Sequence, residues 1–319
     1  MAGPLYTANY IAVLWDFDQT LIPGYQQEPL FAEYGINGPD FWKEATGLVD
    51  YYGQRGLQVG GSIYLNHMLA HVRTGRFPGL TNSKLREFGS RLTYYEGIPE
   101  FFEVARKHIE ENDEFKKHGI TVEHYIISTG LRQIILGSSV APFVRDVWAC
   151  EFIETPADPG FAKASPGETP PEREISEVGY YLDDTTKTRA VWEINKGVNI
   201  EPGKIGVNDQ VAPEDRRVPL RNMLYVADGP SDIPILSILN QYEGQTLGVY
   251  NPNDVRHFKA VKRLRDQERV QEVVSADYRE GTTAYLWILA TLQEIAQRIV
   301  RDRDVALGER IRHPSGHVV

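Results

Sequence analysis

The chain has 319 residues, more than one average domain, so a core with an accessory domain is the expectation. Its hydrophobic fraction of 41% suffices for a sizeable core, and its net charge of −10 argues against a general nucleic-acid binder, which needs a basic field. The single cysteine, Cys150, excludes an internal disulfide or a multi-cysteine metal knot. No apolar run approaches the ~18 residues of a membrane span, and the opening MAGPLYTANY lacks the basic flank of a signal peptide; a cytoplasmic location is the expectation.

In chain order, Ile11–Trp15 form a short apolar run that suits a strand buried on both faces. Asp16 and Asp18 follow, one residue apart, with Thr20 next before Leu21 and Ile22. Side chains alternate along an extended segment, so the two acids can face one side, where a divalent cation would relieve their repulsion. Pro23 and Gly24 then break the chain. Residues 25–93 are expected to form several helices, PLFAEYG, DFWKEATGLVDYYGQRG, GSIYLNHMLAHVRTG and NSKLREFGSRL, the last capped by Asn82 or Ser83. His67 and His71 stand at i, i+4, yet no acid follows His67 as in HExxH, so a packing or pocket-wall pair is expected.

Gly97 and Pro99 open another helix, PEFFEVARKHIEEN. In TVEHYIISTG, Tyr125–Ile127 make a buried strand with Ser128, Thr129 and Gly130 at its end, a hydroxyl and a free backbone amide that suit phosphate oxygens. The stretch from WACEFIETP to YYLDD is expected to be irregular, with an exposed loop between Pro156 and Pro171. Next, DDTTKTRAVWEINKG begins a helix at Asp184 or Thr185 and places Lys187 in its first turn, where the helix dipole disfavours a cation. Residues 199–220 look like a long surface insertion. Met223–Ala227 form a further buried strand that ends in Asp228, with Gly229 and Pro230 turning the chain and Asp232 four residues on. A strand TLGVYNP, a basic helix HFKAVKRLRDQERV, a strand near EVVSADY and a long amphipathic helix TAYLWILATLQEIAQRIV complete the pattern, and a tail begins at Arg301. Short buried strands alternating with helices specify an α/β domain with a mostly parallel, Rossmann-like sheet.

DFDQT, the Ser128 hydroxyl, Lys187 and DGPSD stand in the order of the four motifs of the haloacid dehalogenase-like (HAD) hydrolases, and the chain resembles that family's phosphoserine-phosphatase-like members. Lys163 and Lys196 are the alternative lysines, one in the Pro/Gly-rich loop and one beside a helix-ending glycine. The resemblance implies a HAD core over residues 1–22 and 94–300, a helical C1 cap over 23–93 and a C-terminal tail over 301–319. It implies Asp16 as nucleophile and Asp18 as general acid–base, with Ser128 and Lys187 on the phosphoryl oxygens. Thr20, Thr129, Gly130 and Asp232 would support the site. Mg2+ would be held by Asp16, Asp228 and the backbone carbonyl of Asp18. Phosphoserine phosphatases carry a glutamate nine positions after the nucleophile, where this chain has Tyr25, with Glu28 nearby but displaced. The expected activity is hydrolysis of a small soluble phosphomonoester, without nucleic-acid or membrane partners. The alternatives are a phosphoprotein substrate, or a catalytically weak binding or regulatory module.

Overall fold

A computed structural model of the chain describes residues 8–160 and 172–312, with side chains to residue 305. The strands are β1 (Tyr10–Trp15), β2 (Thr121–Leu131), β3 (Asp146–Ile153), β4 (Glu177–Tyr180), β5 (Met223–Ala227), β6 (Gln245–Tyr250) and β7 (Glu272–Ser275). They form one sheet in the order β4-β3-β2-β1-β5-β6-β7, parallel throughout except for the antiparallel edge strand β4. The chain steps from β1 outward through β2 and β3, then returns to the other side of β1 with β5. The carboxyl ends of β1 and β5 therefore meet at the switch point where open α/β sheets bind ligands.

Two apolar layers cover the sheet, and the period-2 alternation of β1 assigns its side chains to them. Ala12 and Leu14 face one layer, with α8 (Lys187–Lys196) and α9 (Ile233–Gln241). Ile11, Val13 and Trp15 face the other, with α5 (Glu100–Glu110), α6 (Asp113–Lys117) and α11 (Thr283–Arg312). On this second face the Trp15 indole N–H donates to His124 Nδ1 at 3.1 Å, which leaves the proton on Nε2 to meet the Phe102 carbonyl at 3.0 Å. Both ring nitrogens are satisfied in the neutral form, and burial pushes the imidazole pKa down to about 4. The unfolded histidine titrates near 6.5, so between these values the unfolded chain binds the extra proton. This residue's share of stability is therefore complete above pH ~6.5 and declines by up to about 3 kcal/mol as pH falls toward 4. Urea unfolding at pH 7 and pH 4.5 should show a smaller pH dependence in His124→Gln than in wild type; equal differences would refute the assignment.

Between β1 and α5 lie α1 (Glu28–Glu33), α2 (Gly38–Gly53), α3 (Ile63–Arg73) and α4 (Asn82–Gly89). The helical block expected here is present, but its apolar residues, among them Phe41, Leu65, Met68 and Phe88, join the first sheet layer in one continuous core. Helix α4 lies directly on α7 (Arg132–Leu136): a Cβ at Gly89 would stand 2.0 Å from the Ile134 carbonyl oxygen, and one at Gly137 would stand 1.9 Å from that of Arg86.

Several boundaries differ from those expected. Thr81, not Asn82 or Ser83, caps α4; its extended backbone lets its hydroxyl accept from the Lys84 amide. The segment from WACEFIETP to YYLDD, expected to be irregular, takes in most of β3 and all of β4; a buried run such as Trp148–Cys150 has no alternation to betray it. Strand β2 continues through Ser128, Thr129 and Gly130 instead of ending before them, with its register to β3 shifted there. Residues 199–220 are not wholly a surface insertion. Arg217 is buried, grips Glu123 through both terminal nitrogens at 2.7 and 2.6 Å and stacks on Tyr10, while Val218 and Leu220 enter the core. The tail expected from Arg301 begins later, because α11 runs on to Arg312, held past residue 300 by an Arg221–Asp302 ion pair and an Arg303–His118 backbone contact. Helix α10 (Val255–Asp266) follows β6 as expected. Lys163 and residues 313–319 lie outside the described residues.

Candidate active site

Asp16 is the residue after β1, and its amide continues the strand pairing by donating to the Val226 carbonyl at 3.0 Å. That register sets Asp16 beside the end of β5, and carboxylate oxygens of Asp16, Asp228 and Asp232 lie within 4.8 Å of one another. Lys187 opens α8, is fully buried, and donates to Asp16 Oδ1 at 2.9 Å and Asp232 Oδ1 at 2.6 Å. Burial alone would push its ammonium toward neutrality; the two carboxylates more than reverse this and hold it charged. Burial raises the Asp16 carboxyl well above the usual carboxylate range, against the pull of Lys187 and with the help of the two other acids. Asp232 is fixed further by the Tyr225 hydroxyl at 2.5 Å and by Ser231 at 3.2 Å. The helix dipole that disfavours Lys187 in a first turn is thus outweighed by two charge-assisted bonds.

Asp18 lies on the turn that follows. It accepts from the Gln26 amide at 2.8 Å and the Gln26 side chain at 3.3 Å, and burial lifts its pKa to about 7 against those two bonds. The same Gln26 side chain accepts from the Leu131 amide at 2.8 Å, so it ties the first acidic turn to the end of β2. Gly130 makes room for it, since a Cβ there would stand 1.9 Å from Gln26 Nε2. Ser128 is buried, and its Oγ accepts from the Gly130 amide at 3.0 Å, which leaves its own hydrogen available to a ligand. The Thr129 carbonyl accepts from Tyr64 of α3 at 2.7 Å. Thr20 is fully buried, and its carbonyl takes the Tyr278 hydroxyl at 2.7 Å. Asp228 meets His257 Nε2 at 3.1 Å; the Asn251 amide donates to His257 Nδ1, so the Nε2 proton points at the carboxylate. Cys150 is buried as expected, its thiol against the Thr129 carbonyl.

Asp16, Lys187, Asp228 and Asp232 therefore form one cluster, with Asp18 on the adjoining turn and Ser128, Thr129 and Gly130 at the carboxyl end of β2. Thr20 is buried and bonded to Tyr278 instead. Lys196 lies elsewhere, donating to the Val207 and Asp209 carbonyls, both at 2.7 Å. Sequence reasoning missed Gln26, Tyr225 and His257. His257 had a signal, because it enters directly after a strand end, on a helix capped by Asp254. Asp183 was missed too: its carboxylate accepts from the Thr185 and Thr186 amides, so it, not Asp184 or Thr185, anchors the start of α8.

A cleft of ≈ 590 Å³ is lined by Asp18, Thr129 and Gly130, which connect it to the cluster, whose own four residues lie outside its lining. Its roof is Tyr25, Trp42 of α2 and Tyr64 of α3, and its rim carries Asp183 and Asp184; no lysine or arginine lines it among the described residues. Arg55, just past the end of α2, does not reach it but stacks on Tyr51 and bonds its carbonyl. Glu28 also turns away, accepting from the Tyr25 amide at 3.2 Å.

This mostly parallel sheet, with its inserted helices and its acids at the switch point, has the fold of the HAD hydrolases. A HAD family hydrolase from Salmonella enterica serovar Typhi superposes with a TM-score of 0.51 at 13% identity, over 90% of this chain and 72% of its own. A probable phosphoserine phosphatase from Vibrio cholerae gives a TM-score of 0.48 at 13% identity, over 92% of this chain and 68% of its own. No family model matches the sequence. An uncharacterized protein of Borreliella burgdorferi is 38% identical over 286 residues, 88% of this chain and 96% of its own length, and the chain belongs to one family with it. Among the described residues no helix is long and apolar enough to cross a membrane.

Proposed function

We propose that the protein is a Mg2+-dependent phosphohydrolase that cleaves a small phosphomonoester through an aspartyl-phosphate on Asp16. The observation that carries this reading is the Lys187 ammonium held between Asp16 and Asp232 at a strand-end switch point. Asp16 Oδ1 is turned to Lys187, which leaves Oδ2 to attack phosphorus. As the bond to the leaving oxygen breaks, Asp18 delivers a proton to it; with a pKa near 7 it can be protonated at neutral pH. Asp18 then takes a proton from the water that displaces phosphate from Asp16. Lys187 and the Ser128 hydroxyl hold phosphoryl oxygens, and Asp232 positions Lys187. Such positioning and charge neutralisation are most of what phosphoryl transfer needs.

The donor set fits a hard divalent cation, since the clustered ligand atoms are all carboxylate oxygens. Asp16, Asp228 and the Asp18 carbonyl would hold it, while Asp232 is already engaged by Lys187 and Tyr225 and His257 orients Asp228. When bound, the cation would neutralise the acids and draw charge from the phosphoryl oxygens. p-Nitrophenyl phosphate assayed with Mg2+ and with a chelator tests the reading: metal-dependent turnover is expected, and no turnover with any divalent cation would favour a binding module.

The Asp18 role has its own test. General acid–base help is worth ~10²–10⁴-fold, and aryl leaving groups need it least. In single-turnover kinetics Asp18→Asn should therefore slow an alkyl phosphate more than p-nitrophenyl phosphate, and equal losses would refute an acid role.

The cleft supports a small substrate, because its volume suits a metabolite. Aromatic walls with acidic rims favour an uncharged or cationic leaving group over an anionic one. Trp42→Ala should raise the KM of the preferred metabolite about 10-fold while p-nitrophenyl phosphate changes less. An unchanged ratio of the two efficiencies would remove the roof from substrate selection.

A further inference from the structure

The pair His67 and His71, expected to be packing residues for want of an acid in their own helix, acquires one from a neighbouring helix. Glu44 of α2 brings Oε2 to 3.4 Å from His67 Nε2, and His71 Nε2 lies 3.3 Å from the same nitrogen. All three ligand atoms lie within 4.8 Å of one another. A His67 Nε2 with one hydrogen cannot satisfy both neighbours. If it donates to Glu44, it has no lone pair for His71; if it accepts from His71, its lone pair faces the carboxylate. A cation among the three atoms resolves this. Zinc bonds of about 2.0–2.1 Å at a tetrahedral angle place neighbouring ligand atoms about 3.3 Å apart, the spacing seen for the two pairs that share His67 Nε2, and the third pair needs only a small shift of the exposed Glu44 side chain.

We propose that Glu44, His67 and His71 form a second metal site, between the helices α2 and α3 that carry the roof residues Trp42 and Tyr64, that takes a borderline divalent transition ion such as Zn2+. Imidazole and carboxylate donors select such ions over Mg2+, which separates this site from the all-oxygen cluster of Asp16, Asp228 and Asp232. The histidines are 8% and 5% exposed, packed against Phe41 and Phe77, while the Glu44 side chain is 62% exposed, so an ion can enter from solvent beside it. With three protein ligands, a fourth position is left for water. His71 Nδ1 has no partner among the described residues, so no outer bond fixes that ring, and such bonds are worth 10–100-fold in affinity. Micromolar binding is therefore expected. The ion would staple α2 to α3, the helices that carry Trp42 and Tyr64, and so set the height of the cleft roof.

The test titrates the full chain with Zn2+, and separately with Co2+, in excess Mg2+ so that the carboxylate cluster is filled. One equivalent should bind, raise the melting temperature, and give with Co2+ the strong visible band of a tetrahedral nitrogen–oxygen site. His71→Asn should abolish this. Glu44→Gln, at an exposed position, should weaken binding at least about tenfold while the metal-free melting temperature stays that of wild type. Absence of stoichiometric binding, or binding unchanged in both variants, overturns the proposal.

Discussion

Asp16→Asn is expected to lower phosphatase turnover by at least about 10⁴-fold, since it removes nucleophile and metal ligand together. Its effect on stability should have the opposite sign. The Asp16 carboxyl is buried, held above its ordinary range, and faces two other acids. Asparagine keeps the shape and removes one charge from that set, while Lys187 retains Asp232 as its partner. In chelator the variant should therefore melt at or above the wild-type temperature. Substantial residual turnover would refute the nucleophile; a large fall in melting temperature would refute the electrostatic account of the metal-free site.

Lys187→Met should abolish turnover and also destabilise the fold, because it leaves Asp16 and Asp232 buried without their shared cation. Breaking a buried pair from one side costs about 3–5 kcal/mol. Urea unfolding in chelator would measure it, and a second substitution, Asp16→Asn on the Lys187→Met background, should recover part of the loss by removing one stranded charge. A Lys187→Met protein as stable as wild type would show that the carboxylates shed their charge at little cost. The contrast between the two single variants separates catalytic loss from unfolding, because both lose activity and only one loses stability.

The sequence by itself determined the α/β class and the strand-end positions of Asp16 and Asp228. Both follow from local rules: an apolar run of five residues buries on both faces, and an acid directly after it sits at the sheet's carboxyl edge. The helical insertion was also legible, because its helix-forming stretches and the Gly/Pro breaks between them are local signals. Strands β3 and β4 were not, since a short buried run looks alike in helix and strand and an exposed edge strand has little apolar signal. The tertiary structure alone decided the pairings. Lys187 reaches Asp16 across 171 residues, a distance closed by the β1–β5 register and the turn anchored by Asp183. Gln26 joins two motif loops only because Gly130 leaves space, and Arg217 finds Glu123 only once residues 217–220 fold inward. Glu44 meets His67 and His71 only when α2 lies against α3. Periodicity states which way a side chain points along its own element, whereas a charge-assisted contact depends on the position of a second element, fixed only when the shared core has packed.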